Sequence, residues 1–122
     1  MLIKIGILAV LVCLTMPFAS YAVEWHSPEA AKNLIGQETI ICGRVGSTRF
    51  AENSRGSPTY INLGPAFPDH VFTIVIWGTD RAQFSSPPEE VSGVICVAGE
   101  VTSFRGIPQI VVSTPHKISF EG

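Results

Sequence analysis

The sequence carries little charge for a soluble protein. Charged residues make up 15% and hydrophobic residues 46% of its 122 residues, whereas soluble domains average ~25% charged residues. A chain with this much apolar surface can form a core, which excludes an intrinsically disordered protein. The sequence also has no heptads and no glycine period, which excludes a coiled coil and a collagen-like fibre. Its length allows one domain, at ~100–200 residues per domain.

The signatures of common catalytic and metal sites are missing as well. The sequence contains no Gly-x-Ser-x-Gly, no Walker A motif and no Cys-x-x-Cys. Residues 43–48 resemble a phosphate-binding loop, but they lack its lysine and the helix that follows it. His26, His70 and His116 share no metal-ligand spacing. We therefore expect a protein that is not an enzyme and that uses no metal and no cofactor.

No apolar run is long enough for a finished membrane span, but a shorter one lies near the start. Ten apolar residues, 5–14, follow the positive charge of Lys4, and Pro17 and two small residues, Ser20 and Ala22, come after them. This order is typical of a secretory signal, and ten residues cannot span ~30 Å of hydrocarbon. We predict a signal peptide over residues 1–22 and an exported domain over residues 23–122. Two alternatives stay open, namely a lipoprotein modified at Cys13 and an uncleaved anchor.

Excess positive charge is also missing from the predicted exported domain. Without Lys4, seven Lys and Arg residues stand against ten Asp and Glu residues, a net charge of −3. Net charge alone therefore does not support non-specific binding of nucleic acid. The domain would be periplasmic or extracellular, with no membrane contact once the signal is removed.

Two cysteines, Cys42 and Cys96, lie in the predicted exported domain. In an oxidising compartment an even count favours a disulfide bond. A disulfide between Cys42 and Cys96 would close a loop of about 54 residues. In the chain-entropy model this would stabilise the domain by roughly 4 kcal/mol. The alternative is a pair of buried free thiols.

The remaining residues predict one short helix followed by five strands. Ser27 is a good N-cap, Pro28 suits the first helical position, and Gly36 ends the helix. Beyond it, alternation of apolar and polar residues and β-branched runs indicate strands. The predicted strands span residues 38–48, 59–63, 71–77, 94–103 and 107–113, and residues 116–120 could add a last short one.

Five short strands with glycines inside the first and the fourth predict a small closed β barrel, because such glycines often mark bends. The five-stranded OB-fold barrel fits this pattern, and in it the first and fourth strands pair antiparallel. Cys42 and Cys96 have matching parity on those two strands. A cross-strand disulfide is therefore geometrically allowed.

Three segments of the chain resemble small secreted bacterial OB-fold nucleic-acid-binding domains, which occur alone or attached to nucleases. Residues 34–45 are similar to the opening of such domains, residues 93–101 to their fourth strand, and residues 104–110 to the hairpin that follows. The likeness covers residues 27–118. It implies nucleic-acid binding without catalysis by the domain.

In an OB fold the ligand lies on the outer side of the second and third strands, between the loops that follow the first and fourth strands. Arginines and aromatic rings on that face suit phosphates and stacked bases. The candidate site residues are Arg49, Phe50, Arg55, Tyr60, Asn62, Thr73, Trp77, Phe104 and Arg105. Each has an alternative structural role: the aromatic rings could close the barrel ends, the arginines could be solvated, and Asn62 and Thr73 could pair across strands.

The sequence thus favours an exported, non-catalytic module that binds single-stranded nucleic acid or an oligonucleotide. An oligosaccharide- or protein-binding module is the main alternative, in which Trp77 and Asn62 would suit a sugar. A small hydrolase or nuclease is a third, although Glu52, Glu89 and Glu90 do not form a convincing carboxylate cluster.

Overall fold

The computed structural model of the protein describes residue 6 and residues 24–120. The predicted signal peptide and its cleavage after Ala22 fall outside this range, apart from the isolated residue 6. Within the described residues, no helix has both the length and the apolar character that crossing a membrane requires.

The domain is mainly β and has few helical residues. The first helix is a short 3-10 helix, Pro28–Asn33, and Ser27 Oγ caps it by accepting a hydrogen bond of 3.3 Å from the Ala30 amide. Further short 3-10 helices span Gly78–Gln83, Pro88–Glu90 and Pro115–Lys117. The strands are β1 (Trp25–His26), β2 (Glu38–Phe50), β3 (Thr59–Leu63), β4 (Phe72–Ile76), β5 (Val94–Glu100), β6 (Thr102–Phe104), β7 (Ile107–Val111) and β8 (Ile118–Phe120).

All eight strands belong to one sheet, in the order β6-β7-β4-β3-β2-β5-β8, with β1 paired parallel to β2. The long strand β2 has two antiparallel neighbours: residues 38–44 pair with β5, and residues 45–50 pair with β3. Strands β4 and β7 are parallel to each other. The predicted antiparallel pairing of the first and fourth strands is thus confirmed.

The prediction of a closed, five-stranded barrel is wrong in two respects, because the sheet is not closed and has more than five strands. The predicted fourth strand is interrupted at Val101. The amide of Val101 donates to Gln37 O, and its carbonyl accepts from the amide of Gly36. These bonds hold Val101 to the segment after the first 3-10 helix. On its two sides β5 pairs with β2, and β6 pairs with β7.

The two cysteines form the predicted disulfide bond. Cys42 on β2 lies directly opposite Cys96 on β5, with 4.0 Å between the Cα atoms. The bond joins residues 54 positions apart, so it restricts the unfolded chain strongly. A disulfide indicates an oxidising, exported environment.

The core fills the inner side of the curved sheet. Its largest fully buried side chains are one aromatic residue, Phe72, one polar residue, Thr59, and aliphatic residues that lie in five strands (β2, β3, β4, β5 and β7) or next to a strand. Every residue of β4 is buried, as is typical of a strand with a continuous apolar run. The outer side of β2, β3 and β4 carries mostly polar residues.

An irregularity in β2 positions the loop between β3 and β4 (residues 64–71). The β2–β3 register shifts between Val45 and Ser47, at Gly46. A Cβ atom on Gly46 would collide with Gly64 O and lie 2.6 Å from Pro65 O, so only glycine allows this approach of the two backbones. The β3–β4 loop is therefore held against β2.

Candidate ligand-binding cleft

A cavity of about 420 Å³ lies on the outer side of the sheet. Strands β2, β3, β4 and β7 form its floor, and the β3–β4 loop and the turn between β6 and β7 form two walls. Its volume falls within the range of small-ligand sites, ~300–1,000 Å³. We call it the cleft, and it is lined by Ser47, Thr48, Arg49, Tyr60, Asn62, Phe67, His70, Thr73, Phe104, Arg105, Ile107 and Gln109.

A row of polar side chains crosses the floor of the cleft. Ser47, Asn62, Thr73 and Gln109 are successive partners on four neighbouring strands. Asn62 Nδ2 donates to Ser47 Oγ at 3.1 Å, and Thr73 Oγ1 donates to Asn62 Oδ1 at 3.0 Å. Asn62 and Thr73 are buried. Because their hydrogen bonds are made within the sheet, the floor is rigid.

The β3–β4 loop supplies an aromatic wall. The Phe67 amide donates to Ser47 Oγ at 2.9 Å, which fixes the loop to the floor. The Phe67 ring stacks on His70 with 5.5 Å between centroids and 24° between planes. Phe67 is 68% exposed, so one face of this stack is open to a ligand.

His70 is unusual among the cleft residues because its Nδ1 atom is buried and has no hydrogen-bond partner among the described residues. Burial lowers the pKa of His70, and the neighbouring charge of Asp69 opposes that shift. Since burial disfavours the charged imidazolium, His70 is neutral near pH 7.

The turn between β6 and β7 supplies the second wall. Phe104 is 56% exposed, and the Arg105 guanidinium carbon lies 5.2 Å from the centre of its ring. Arg105 has φ of 50° and Gly106 has φ of 81°, and two such residues in succession reverse the chain tightly. The turn thereby presents a cation and a ring together.

The charge of the cleft is opposite to that of the protein. Arg49 and Arg105 line it, and no carboxylate is among the described residues that line it. The whole chain has a formal net charge of −2. A concave site that gathers cations on an acidic protein favours an anionic ligand.

Six of the nine sequence-predicted site residues line this one cavity: Arg49, Tyr60, Asn62, Thr73, Phe104 and Arg105. The other three, Phe50, Arg55 and Trp77, do not. Arg55 is exposed in the loop after β2. Trp77 packs against that loop, since a Cβ on Gly56 would come within 2.9 Å of its indole, and it is 41% exposed.

Phe50 lies elsewhere because of strand alternation. Its partners in the sheet are Thr59 and, beyond it, Ile76, both fully buried. Phe50 therefore points to the inner side, opposite to its neighbour Arg49. Its ring lies 3.5 Å from the Arg81 guanidinium carbon, at a site that the sequence analysis did not single out.

We call this second site the clasp, and it consists of Phe50, Thr59, Arg81 and Glu89. Arg81 Nη1 donates to Glu89 Oε2 and to Thr59 Oγ1, both at 2.7 Å, and Arg81 Nη2 donates to Glu89 Oε1 at 3.2 Å. These hydrogen bonds lower the pKa of Glu89 and raise that of Arg81. The clasp ties the connection between β4 and β5 to the sheet.

Sequence reasoning missed the β3–β4 loop residues Phe67 and His70. Pro65 and Pro68 stiffen this loop, but its place beside β2 depends on the register shift at Gly46. It also missed Gln109, which joins the floor through the parallel pairing of β4 and β7. Among the described residues, no group of three or more His, Cys, Asp or Glu side chains could hold a metal ion.

Comparison with protein-family models and with curated proteins finds no match for this chain. Solved structures with a similar fold do exist. An OBody, AM1L10, bound to hen egg-white lysozyme has a TM-score of 0.54 and 18% identity, and the match covers 80% of this chain and 90% of that one.

Two aspartyl-tRNA synthetases are similar as well. The enzyme from Entamoeba histolytica has a TM-score of 0.51 and 13% identity over 86% of this chain. The one from Leishmania major Friedlin has a TM-score of 0.49 and 13% identity over 85% of this chain. This chain spans 22% of the length of each synthetase. At such identities the OBody and the Entamoeba enzyme show the fold alone, which is the OB fold.

Proposed function

We propose that the domain binds single-stranded nucleic acid or an oligonucleotide in the cleft and does not itself catalyse a reaction. One observation carries the proposal. Two arginines from distant parts of the chain, Arg49 on β2 and Arg105 in the β6–β7 turn, line the same cavity as three exposed or half-buried aromatic rings. No carboxylate among the described lining residues competes for those arginines.

The arginines supply the attraction to phosphate. A guanidinium can make two parallel, charge-assisted hydrogen bonds to a phosphate, and it can also stack on a base. Both arginines are exposed, so a phosphate can reach them without a rearrangement of the fold.

The aromatic rings supply the attraction to bases. Phe104 and Phe67 each have more than half of their surface exposed on the two walls. A base stacked on such a ring contributes ~1–3 kcal/mol with little dependence on sequence. Because Asn62 and Thr73 are already hydrogen-bonded to each other, recognition of base edges by the floor would be weak.

The comparisons support this proposal through the fold. The fold is shared with an aspartyl-tRNA synthetase, whose name includes an RNA. It is shared equally with an OBody bound to lysozyme, which favours a protein as the second candidate ligand. A sugar is less well supported, because Trp77 lies outside the cleft and the amide of Asn62 is used within the sheet.

The disulfide supports a location for this binding. Since Cys42 and Cys96 form a bond, the domain would meet its ligand in an oxidising compartment, either the periplasm or the extracellular medium. The nucleic acid would then be one that is outside the cytoplasm.

The double variant Arg49→Ala/Arg105→Ala tests the proposal. Fluorescence anisotropy with a labelled single-stranded 12-mer should show binding weakened roughly 30-fold, because two charge-assisted contacts of ~1 kcal/mol each are lost. The slope of log affinity against log salt should become less steep by about 1.4, since each contact with a single strand contributes ~0.7.

The matched control is Arg44→Ala/Arg55→Ala, which removes the same charge from exposed positions outside the cleft. It should lower the affinity less than threefold. Equal losses in the two double variants would show that the cleft is not the binding site. Binding that does not respond to salt would point to a protein ligand instead.

A further inference from the structure

We propose that the cleft receives a single nucleotide unit, one base with its phosphate, and not a continuous tract of strand. This inference rests on the function proposed above and narrows its ligand. OB-fold proteins commonly engage ~4–16 nucleotides, so a one-unit site is a distinct and testable claim.

The shape of the cleft is the first observation behind this inference. The β3–β4 loop brings Phe67 and His70 to the cavity, and the β6–β7 turn brings Phe104 and Arg105 to the same cavity. The two walls therefore bound one space of about 420 Å³. This volume is near the lower end of small-ligand sites, and it suits one planar ring system with a sugar and a phosphate.

The rigidity of both the floor and the first wall is the second observation. Asn62 is hydrogen-bonded on both sides, and Ser47 Oγ also holds the Phe67 amide at 2.9 Å. The amide of Gly64 donates to Arg44 O at 3.0 Å, which holds the start of the β3–β4 loop to β2. A preformed pocket binds a compact ligand with little ordering cost.

The position of Trp77 is the third observation. It is the remaining exposed aromatic residue that the sequence placed on this face, and a strand that ran past the cleft would be expected to stack on it. Its indole instead packs against Gly56 of the β2–β3 loop and does not line the cleft. The stacking rings that line the cleft are confined to the two walls and Tyr60.

Within this pocket the described residues have separate tasks. Phe67, stacked on His70, offers its free face to the base. Arg49 and Arg105 provide the two cationic groups for the phosphate. The same chemistry is presented by a free nucleoside monophosphate, by the end of a strand and by a base turned out of a strand.

The test is a length series of 5′-phosphorylated oligothymidylates with one, two, four and eight nucleotides, competed against a labelled octamer. Single-unit binding predicts less than a fivefold gain in affinity between the dinucleotide and the octamer, after correction for the number of binding registers. A gain of fivefold or more would show a tract and overturn the inference, while the proposed function would stand. If not even the octamer binds, the proposed function fails and the inference fails with it.

Two further arms identify the source of the unit. A circular 12-mer has no ends, so binding equal to that of the linear 12-mer would indicate a base turned out of a strand. Much weaker binding of the circle would indicate an end, and binding of thymidine monophosphate as tight as the dinucleotide would indicate a free nucleotide. These two arms assign the source once the length series has shown a single unit, because a tract would also bind the circular and the linear 12-mer equally.

Variants provide an independent readout. Phe67→Leu should weaken the dinucleotide and the octamer by the same factor, roughly 5- to 150-fold for one stacked base, and Phe67→Tyr should restore the affinity. Trp77→Leu should leave both ligands unaffected. If Trp77→Leu weakens the octamer tenfold but not the dinucleotide, the strand continues past the cleft and the inference is wrong.

Discussion

Two arginine–phenylalanine pairs lie in different parts of the domain, and their surroundings differ. In the clasp, the Arg81 guanidinium lies 3.5 Å from the centre of the Phe50 ring, and the arginine side chain is 21% exposed. In the cleft, the Arg105 guanidinium lies 5.2 Å from the Phe104 ring, and both residues are exposed. The clasp is closed by Glu89, whereas no carboxylate lines the cleft among the described residues.

The difference shows what separates a structural cation from one that is available to a ligand. Arg81 has its donors directed at Glu89 and Thr59, so an incoming phosphate would have to displace a carboxylate. Arg105 makes no hydrogen bond to a side chain in the described part of the chain and only lies near a ring. An arginine beside an aromatic residue is therefore not a binding signal by itself; the partners of its guanidinium decide its role.

The largest effect should come from breaking the clasp with Arg81→Met. This change keeps the length of the side chain but leaves Glu89 without its partner and Thr59 without its donor. Full burial would make the loss ~3–5 kcal/mol, and partial exposure reduces it. We expect a loss of about 2 kcal/mol in the free energy of unfolding, measured by urea denaturation.

Arg105→Met is the matched change in the cleft, and it should alter the free energy of unfolding by less than ~0.5 kcal/mol, as is usual for exposed positions. Oligonucleotide affinity should respond in the opposite way, with a loss in Arg105→Met and none in folded Arg81→Met. Equal destabilisation by both changes would mean that Arg105 is as much a structural residue as Arg81, which would contradict the difference described between the cleft and the clasp.

The sequence predicted the fold well where local pattern and pairing agree. The strand β3 has the predicted bounds, Thr59–Leu63. The disulfide was predicted from the even cysteine count, and the matching parity of Cys42 and Cys96 on paired strands allowed it. The interruption at Val101 was not predictable, because Val97, Gly99 and Val101 continue one parity and no proline separates β5 from β6. What stops the strand is a pair of tertiary hydrogen bonds, to Gly36 and Gln37.

The candidate site likewise combines features that the local sequence pattern predicts with features that depend on tertiary contacts. Adjacent residues point to opposite sides of a strand, so Arg49 and Phe50 could not both belong to one face, although both were predicted as ligand residues. The role of Arg81 was not predictable, since its partner Glu89 is brought to it by tertiary packing. Phe67 and His70 reach the cleft through the loop contact at Gly46.

A smaller effect should appear when the clasp is titrated with acid. Its hydrogen bonds with Arg81 lower the pKa of Glu89 in the folded protein, so the unfolded chain takes up the proton first as the pH falls. The stabilisation is complete above the ordinary glutamate pKa, about 4.5. It is lost as the pH falls further, through the lowered pKa of the folded protein.

The measurement is the free energy of unfolding between pH 6 and pH 3 in the native protein and in Glu89→Gln. The difference between the two proteins, about 1 kcal/mol for a partly exposed pair at pH 6, should shrink as the pH falls through this range. The control is Glu90→Gln, which neutralises the adjacent exposed carboxylate and should give a pH dependence close to that of the native protein. A constant difference between native protein and Glu89→Gln would contradict the assignment of the clasp as an ion pair.

The smallest expected effect is a pH dependence of binding in the cleft. Burial lowers the pKa of His70, with Asp69 acting in the opposite direction, and the cations Arg49 and Arg105 line the same cavity. A bound phosphate favours the imidazolium, so binding should be accompanied by proton uptake. Affinity for an oligonucleotide should therefore rise severalfold, by less than tenfold, as the pH falls from about 7.5 to about 5.5.

The variant His70→Gln should remove this rise and leave the affinity at pH 7.5 within about threefold of the native value, because the imidazole is neutral there. The clasp should not contribute to the rise, since Glu89 titrates below this range. Arg81→Met should accordingly retain the rise in affinity while it is folded. If the rise in affinity persists in His70→Gln, the titrating group is not His70 and lies outside the cleft. The pH range in which the cleft gains affinity would then no longer distinguish it from the clasp.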